Sequence, residues 1–242
     1  MSAVQVDSMS VHQPQAVYKT SIGKKIIMAI SGIVFVGFIS GHMLGNLQVF
    51  LGQDTLNTYA EALQGLGALL WFIRAFLLAF IAFHIIFGIK LYFENRSSRP
   101  VRYVRVQNVE SNLASRTMIF TGLLILFFVA YHLLHFTLIV TNPEYAALKD
   151  SLGRHDVYSM MILGFQNYII SGVYILAILF LSFHLSHSLF SLFQTLGLTN
   201  GVWVPRLRMI SNIFAILIFI GYVSIPVGIL LNLAKLPEGG LL

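Results

Sequence analysis

The stretch LLWFIRAFLLAFIAFHIIFGIKLYF, residues 69–93, decides the fold of this chain. Between Arg74 and Lys90 it holds fifteen residues, of which only His84 has a polar side chain. A helix needs about 20 mostly apolar residues to cross the hydrocarbon core of a bilayer. Because lipid offers the backbone no hydrogen-bond partners, a segment of this kind must be helical. The stretch therefore predicts a membrane-spanning helix.

Four more runs of this kind flank it, so the sequence predicts an all-α integral membrane bundle of five transmembrane helices. The predicted helices are residues 26–51, 66–93, 117–140, 161–196 and 209–234. The 242 residues are 57% hydrophobic and 10% charged, whereas soluble domains carry about 25% charge. This composition excludes a soluble or a disordered chain. Residues 1–21 form a polar tail without the apolar core of a signal peptide, and residues 22–242 form a single transmembrane domain.

The positions of lysine and arginine predict the orientation of the bundle. The tail and the second–third and fourth–fifth loops share one side, which holds 11 of the 15 basic residues. These are Lys19, Lys24, Lys25, Lys90, Arg96, Arg99, Arg102, Arg105, Arg116, Arg206 and Arg208. Basic loops stay in the cytoplasm, so we expect a cytoplasmic N-terminus and a C-terminus outside, in the cell's inner (cytoplasmic) membrane. The net charge of +6 thus indicates topology rather than nucleic-acid binding.

Cysteine is absent from the sequence, which excludes several kinds of cross-link and cofactor site. Without it the chain cannot form disulfides, ligate iron–sulfur clusters, build thiolate zinc sites or attach haem covalently. Haem held without covalent attachment remains open.

Histidines are the functional signal, because six of the eight lie inside predicted spans. These are His42, His84, His132, His135, His184 and His187. Ionisable groups in a bilayer are costly and mark function by default. One such histidine could simply hydrogen-bond a neighbouring helix, but four helices that each supply at least one favour a shared ligand role.

The depths of these histidines predict how they pair. At 1.5 Å per residue, His42 lies about 24 Å and His132 about 22 Å above the cytoplasmic end of their helices. His84 lies about 14 Å and His184 about 18 Å above that end. The first and third helices therefore supply an outer layer, and the second and fourth an inner layer. Two facing imidazoles per layer are what a six-coordinate haem iron needs.

Other metals fit this pattern less well. Zinc takes four ligands, or three and a water, and the spans offer no cysteine or interior carboxylate. Copper or a proton relay stay as alternatives. Gly37, Gly41 and Gly45 repeat beside His42, which fits either close helix packing or clearance for a macrocycle. Depth does not separate His132 from His135, and it slightly favours His187 over His184.

Several segments together resemble the membrane-anchor cytochrome b of succinate:quinone oxidoreductases, in the single-subunit, five-helix, di-haem type. They are GHMLGNLQVF (41–50), LNTYAEAL (56–63), LLWFIRAFLL (69–78), FHIIFGIKLYFENRSSRP (83–100), FVAYHLLHF (128–136) and FHLSHSLFSLFQTLG (183–197). The resemblance covers nearly the whole chain in order, helix number and spacing.

This resemblance implies two haem b groups, ligated by His42 with His132 on the outer side and by His84 with His184 on the inner side. The pattern around FH favours His184, against the weak depth preference for His187. His135 and His187 stay as alternates. From the chemistry of arginine, which suits carboxylates, Arg74 is a candidate contact of the outer haem propionates and Arg116 of the inner ones. A merely interfacial position is the alternative for both.

The resemblance also implies partners, because the chain has no flavin motif and performs no dicarboxylate chemistry itself. A flavoprotein with FAD and an iron–sulfur protein would dock on the basic cytoplasmic face. That face comprises Lys24, Lys25, Arg96, Arg99, Arg102, Arg105 and Arg206. The chain would then be the electron-transfer and quinone-reactive subunit of a succinate dehydrogenase or fumarate reductase in a respiratory chain.

The substrate in the membrane would be quinone, with menaquinone expected first. Quinone reduction needs protons and hence a polar group near an interface. Glu61 and Arg74 lie at the predicted outer end, near His42 and His132, and are the quinone-site candidates.

Two other functions remain as alternatives. One is the cytochrome b of another respiratory complex, of hydrogenase or formate dehydrogenase type. The other is a transporter that couples protons through histidine. Transporters tend to have broken helices, whereas no proline interrupts the first four predicted spans.

Overall fold

Five long apolar helices form the body of the protein, which confirms the predicted all-α membrane fold. The computed structural model describes residues 19–98 and 113–237, and this part of the chain contains no strand. Its α-helices are α1 (Ser21–Leu47), α2 (Gln53–Gly65), α3 (Ala68–Ser97), α4 (Leu113–His132), α5 (Val157–Gln166), α6 (Tyr168–Thr195) and α7 (Trp203–Leu230).

The long helices pack as two pairs with a fifth helix alongside. Helix α1 packs on α3, and α4 packs on α6, whereas α3 and α4 touch sparsely. Helix α7 covers α6 and part of α1. The pairs α1–α3 and α4–α6 therefore face each other across the bundle, with α7 outside them.

The fourth predicted span, 161–196, is divided between α5 and α6. Asn167 separates them, because its Oδ1 accepts the backbone N–H groups of Ile169 and Ile170 and thereby starts α6. Such an N-cap satisfies donors that have no partner within the helix. Met161 therefore lies in α5, and the spanning helix begins seven residues later, at Tyr168.

Helix α4 ends in an irregular turn. A π-helix runs over Leu133–Thr137, and the Leu138 N–H donates to the Leu133 carbonyl at 2.7 Å. Ile139 then adopts a positive φ of 52°. The third span therefore ends near Thr137 rather than at residue 140.

A polar cluster, which we call the cap, closes the end of the bundle where α1 and α4 finish. It consists of Gln53, Asn57, Asp150, Arg154 and Asp156. The Asn57 amide donates to Asp150 at 3.1 Å and to Asp156 at 2.9 Å. Arg154 Nε donates to Asp150 at 2.7 Å, and Gln53 donates to Asp156 at 2.7 Å. The cap ties α2 to the start of α5.

The opposite end, which we call the basic end, is where α1, α4 and α7 begin and where α3 and α6 finish. Lys24 of α1 is buried there and forms an ion pair with Glu94 of α3. Only 6% of the most apolar stretch of α3 is buried in the protein, against 33% for α7. The helices that carry histidines thus contact one another less than α7 contacts its neighbours.

Candidate functional site

Two pairs of histidines lie between the helices, one above the other along the bundle. His42 of α1 faces His132 of α4, with ring centroids 5.8 Å apart. His84 of α3 faces His184 of α6, with centroids 6.3 Å apart. We call the first the cap-side pair and the second the basic-end pair. They join the same residues as the predicted outer and inner layers.

Aromatic rings line both pairs. Phe38 stacks on His42 at 5.4 Å between centroids, and Phe35 meets His84 edge-on at 5.4 Å. Phe128 lies 6.0 Å from His132. These contacts follow from the apolar composition of the helices, and they place the imidazoles in a region of low polarity.

Each histidine of the basic-end pair contacts a hydroxyl group on the adjacent helix. Nδ1 of His84 lies 2.8 Å from Ser31 Oγ of α1. Nδ1 of His184 lies 3.2 Å from Thr121 Oγ1 of α4. Gly122 follows Thr121, and a Cβ added there would lie 3.4 Å from Cε1 of His184. The His184 ring therefore packs directly on the backbone of α4.

A tyrosine contacts the cap-side pair. Tyr174 of α6 is 6% exposed, and its hydroxyl lies 3.4 Å from Nδ1 of His132. The same hydroxyl lies 3.0 Å from Nδ1 of His135. Tyr222 of α7 approaches His42 at 6.3 Å between centroids and donates to the Ile39 carbonyl.

The two remaining histidines of the spans belong to neither pair. His135 is fully buried in the π-helix, 4.0 Å from the Phe136 ring, and its Nε2 has no hydrogen-bond partner. His187 is half-buried on α6, three residues beyond His184. The structure thus separates the doubled histidines that the sequence left ambiguous.

Open space adjoins the pairs. A cavity of about 150 Å³ between α1 and α3 is lined by Ser31, Phe80 and Phe83, among others. Another of about 180 Å³ between α4 and α6 is lined by Thr121, Phe180 and Phe183, among others. Each cavity is lined by the residue whose hydroxyl contacts one histidine of the basic-end pair.

The glycines near His42 distinguish the two roles considered for them. A Cβ added at Gly37 or Gly41 would meet no atom within 4 Å, so no helix packs on them. At Gly45 the added Cβ would lie 2.6 Å from Tyr59. Only Gly45 therefore serves close packing, and the surface at Gly37 and Gly41 is open.

Each pair offers two imidazoles, which are ligands that a haem iron could take. Within residues 19–98 and 113–237, no group of three or more His, Cys, Asp or Glu side chains could hold a metal. An ion held about 2.0 Å from one nitrogen of each of two opposed imidazoles needs centroids about 6 Å apart. Both pairs have this separation, and a porphyrin supplies the four other ligands.

The charged candidates are exposed. Glu61 of α2 and Arg116 of α4 are exposed. Arg74 is also exposed, and its guanidinium lies 5.0 Å from the Trp71 ring centroid. Among the predicted docking residues, Arg206 lies over Trp203 at 5.3 Å. Arg99, Arg102 and Arg105 lie outside the described residues.

Three residues of the site escaped the sequence prediction: Ser31, Thr121 and Tyr174. Each has a hydroxyl group and lies inside a predicted span. Hydroxyl side chains inside the spans are the signal that could have found them, because a buried hydroxyl needs a partner.

Comparison of the chain with models of protein families, with curated proteins and with solved structures finds no match in any of the three. The function is therefore argued from the residues and their geometry.

Proposed function

We propose that this protein is a di-haem cytochrome b, the membrane anchor of a succinate:quinone oxidoreductase. One observation carries the proposal: four helices bring two histidine pairs together, with centroids 5.8 and 6.3 Å apart. His42 and His132 would hold one haem b, and His84 and His184 the other. The resemblance to the anchor cytochromes supplies the class of complex.

Bound haem would supply one-electron redox chemistry at two depths in the membrane. The residues of the chain would position the haem groups and surround them. The four histidines fix the position of each group, and Phe35, Phe38 and Phe128 keep water away from it. A low dielectric and neutral imidazole ligands then tune the potential.

Charged residues support two further roles, the docking of partner proteins and the reaction with quinone. A flavoprotein and an iron–sulfur protein would dock at the basic end, on the cytoplasmic side of the inner membrane. The exposed Lys25 and Arg206 would be among the contacts, whereas Lys24 is buried against Glu94. Quinone, menaquinone first, would react near the cap, with Glu61 and Arg74 as the candidate polar groups. Both are exposed there, so quinone could reach them from the lipid.

The experiment that tests the proposal is a reduced-minus-oxidised visible spectrum of the purified protein. We expect low-spin b-type bands and two haems per chain. His42→Ala and His132→Ala should lose the same haem, and His84→Ala and His184→Ala the other. His187→Ala is the matched control on α6 and should keep both. A wild-type chain without haem would refute the proposal.

A second measurement identifies the complex. In membranes, succinate should reduce the haem, and a flavoprotein should copurify with the chain. Haem reduced by hydrogen or formate instead would indicate the cytochrome b of another respiratory complex.

A further inference from the structure

The basic-end pair is built with a symmetry that the cap-side pair lacks. On each side, a hydroxyl one helix away meets Nδ1 of the histidine, at 2.8 Å for Ser31 and His84 and 3.2 Å for Thr121 and His184. Both hydroxyl residues are buried, at 1% and 4% exposure. No bulk water competes for these hydrogen bonds.

Each hydroxyl also has a backbone acceptor in its own helix. Ser31 Oγ lies 3.0 Å from the Met28 carbonyl. Thr121 Oγ1 lies 3.1 Å from the Met118 carbonyl and 3.2 Å from the Thr117 carbonyl. Serine and threonine in helices donate their hydroxyl hydrogen backwards in this way.

This arrangement favours one tautomer of both histidines. A hydroxyl has one hydrogen, and when a backbone carbonyl accepts that hydrogen, the histidine donates to the hydroxyl oxygen. In this tautomer Nδ1 of His84 donates to Ser31, and Nδ1 of His184 donates to Thr121. In a neutral imidazole the other nitrogen then bears the free lone pair. Nε2 of each ring is left as the metal-binding atom.

We propose that Ser31 and Thr121 are positioning residues of the basic-end haem. They orient the two imidazoles, present Nε2 to the iron and strengthen the imidazoles as ligands through the Nδ1 hydrogen bond. Hydrogen bonds of this kind raise the basicity of a ligating histidine. The inference rests on the proposed function, since it concerns residues that act on a haem through its ligands.

The cap-side pair provides an internal reference. His132 is 3.4 Å from the Tyr174 hydroxyl, which His135 approaches more closely at 3.0 Å. Within the described ranges, the His42 ring contacts aromatic rings and makes no hydrogen bond. Loss of Ser31 or Thr121 should therefore change one haem and leave the other as it was.

The test is an optical and EPR redox titration of both haems in the purified complex. Thr121→Val keeps the shape and removes the hydroxyl, Thr121→Ser keeps the hydroxyl, and Ser31→Ala removes the other one. A more basic ligand stabilises ferric iron, so we expect Thr121→Val and Ser31→Ala to raise the potential of the basic-end haem. The double variant should raise it further, and Thr121→Ser should match the wild type.

Ser182→Ala is the matched control, because Ser182 donates to the Ile178 carbonyl at 3.0 Å on α6 and hydrogen-bonds no histidine among residues 19–98 and 113–237. It should leave both potentials unchanged. Loss of the basic-end haem in Thr121→Val with its retention in Thr121→Ser would also support the inference. Unchanged potentials in Thr121→Val, equal shifts of both haems or the same shift in Ser182→Ala would overturn it. A wild type without haem would overturn the proposed function as well.

Discussion

His132 and His135 are three residues apart but have different surroundings. His132 faces His42, whereas His135 is fully buried against Phe136 and hydrogen-bonds Tyr174. In an α-helix, residues three apart share a face. Both rings reach the Tyr174 hydroxyl, His132 at 3.4 Å and His135 at 3.0 Å. The contact with the His42 ring, which His132 makes at 5.8 Å between centroids, is what distinguishes the two histidines.

We therefore expect His135→Phe to keep both haems and His132→Phe to lose one. Phenylalanine fills the space of His135 among Phe136 and Tyr174, and Tyr174 keeps His132 as a partner. The haem-to-protein ratio from pyridine haemochrome spectra measures this. Loss of a haem in His135→Phe with retention in His132→Phe would reverse the assignment.

Asp156 is the residue on which the cap depends most. It is 2% exposed and accepts from Gln53 at 2.7 Å, Asn57 at 2.9 Å and the Ser159 N–H at 3.0 Å. Asp156→Ala leaves these donors unpaired, which should lower the free energy of unfolding by about 3 kcal/mol. Thermal unfolding in detergent measures the loss.

Asp54→Ala is the control for this substitution, because the Asp54 side chain is 81% exposed although it pairs with Arg154. We expect its effect to stay below about 1 kcal/mol, as for surface ion pairs. Equal losses in Asp54→Ala and Asp156→Ala would show that burial of the carboxylate is unimportant.

The cap also predicts a dependence of stability on pH. Burial alone would raise the pKa of Asp156, but hydrogen bonds from Ser159, Asn57 and Gln53 outweigh it and lower the pKa. The stabilisation is then complete above the unfolded pKa of about 3.9 and is lost as the pH falls through the folded value. The midpoint temperature of thermal unfolding, measured between about pH 3 and 7, should fall at the acid end. It should fall less in Asp156→Asn. Parallel profiles would contradict this.

At the scale of elements, hydropathy and charge could predict the five spans but not their interruptions. Asn167 lies in an apolar run, where a 161–196 helix is the simplest interpretation, yet its side chain starts α6. The π-helix leaves no mark in the sequence, because it depends on how residues 133–137 pack. The cap joins residues about 100 positions apart, which no local pattern can indicate.

The length of α3 explains the ambiguity between His184 and His187. The predicted helix ended at residue 93, whereas α3 continues to Ser97. Measured from Ser97, His84 lies about 20 Å from the helix end, and His184 lies about 17 Å from Thr195. The two depths then agree within one helical turn, and the preference for His187 disappears.

The close approach of α4 and α6 can be tested at Gly122. A leucine there must push on the His184 ring, which already lies 3.4 Å from the Cβ position. With two haems bound, as proposed, we expect Gly122→Leu to lower the occupancy of the basic-end haem and leave the other haem in place. Gly172→Leu on α6 is the control, because a Cβ there meets nothing within 4 Å. Equal haem loss in both variants would contradict the prediction.

At the scale of the whole molecule, the orientation in the membrane can be tested by labelling introduced cysteines, because the chain has no cysteine of its own. Ser98 is exposed at the basic end, and Leu152 is 69% exposed at the cap. An impermeant maleimide should label Leu152→Cys in intact cells and Ser98→Cys only after the membrane is opened. The reverse labelling pattern would place the basic end outside.

The sparse contact between α3 and α4 has a consequence for how the cell makes this protein. A bundle whose interior is completed by bound groups is stabilised when those groups bind. With haem in both pairs, as proposed, a chain inserted before haem arrives would have loose helices that membrane proteases could attack. The amount of this subunit in the membrane would then depend on the supply of haem and not on the rate of its own synthesis. The soluble partners would therefore assemble only with an anchor that can conduct electrons.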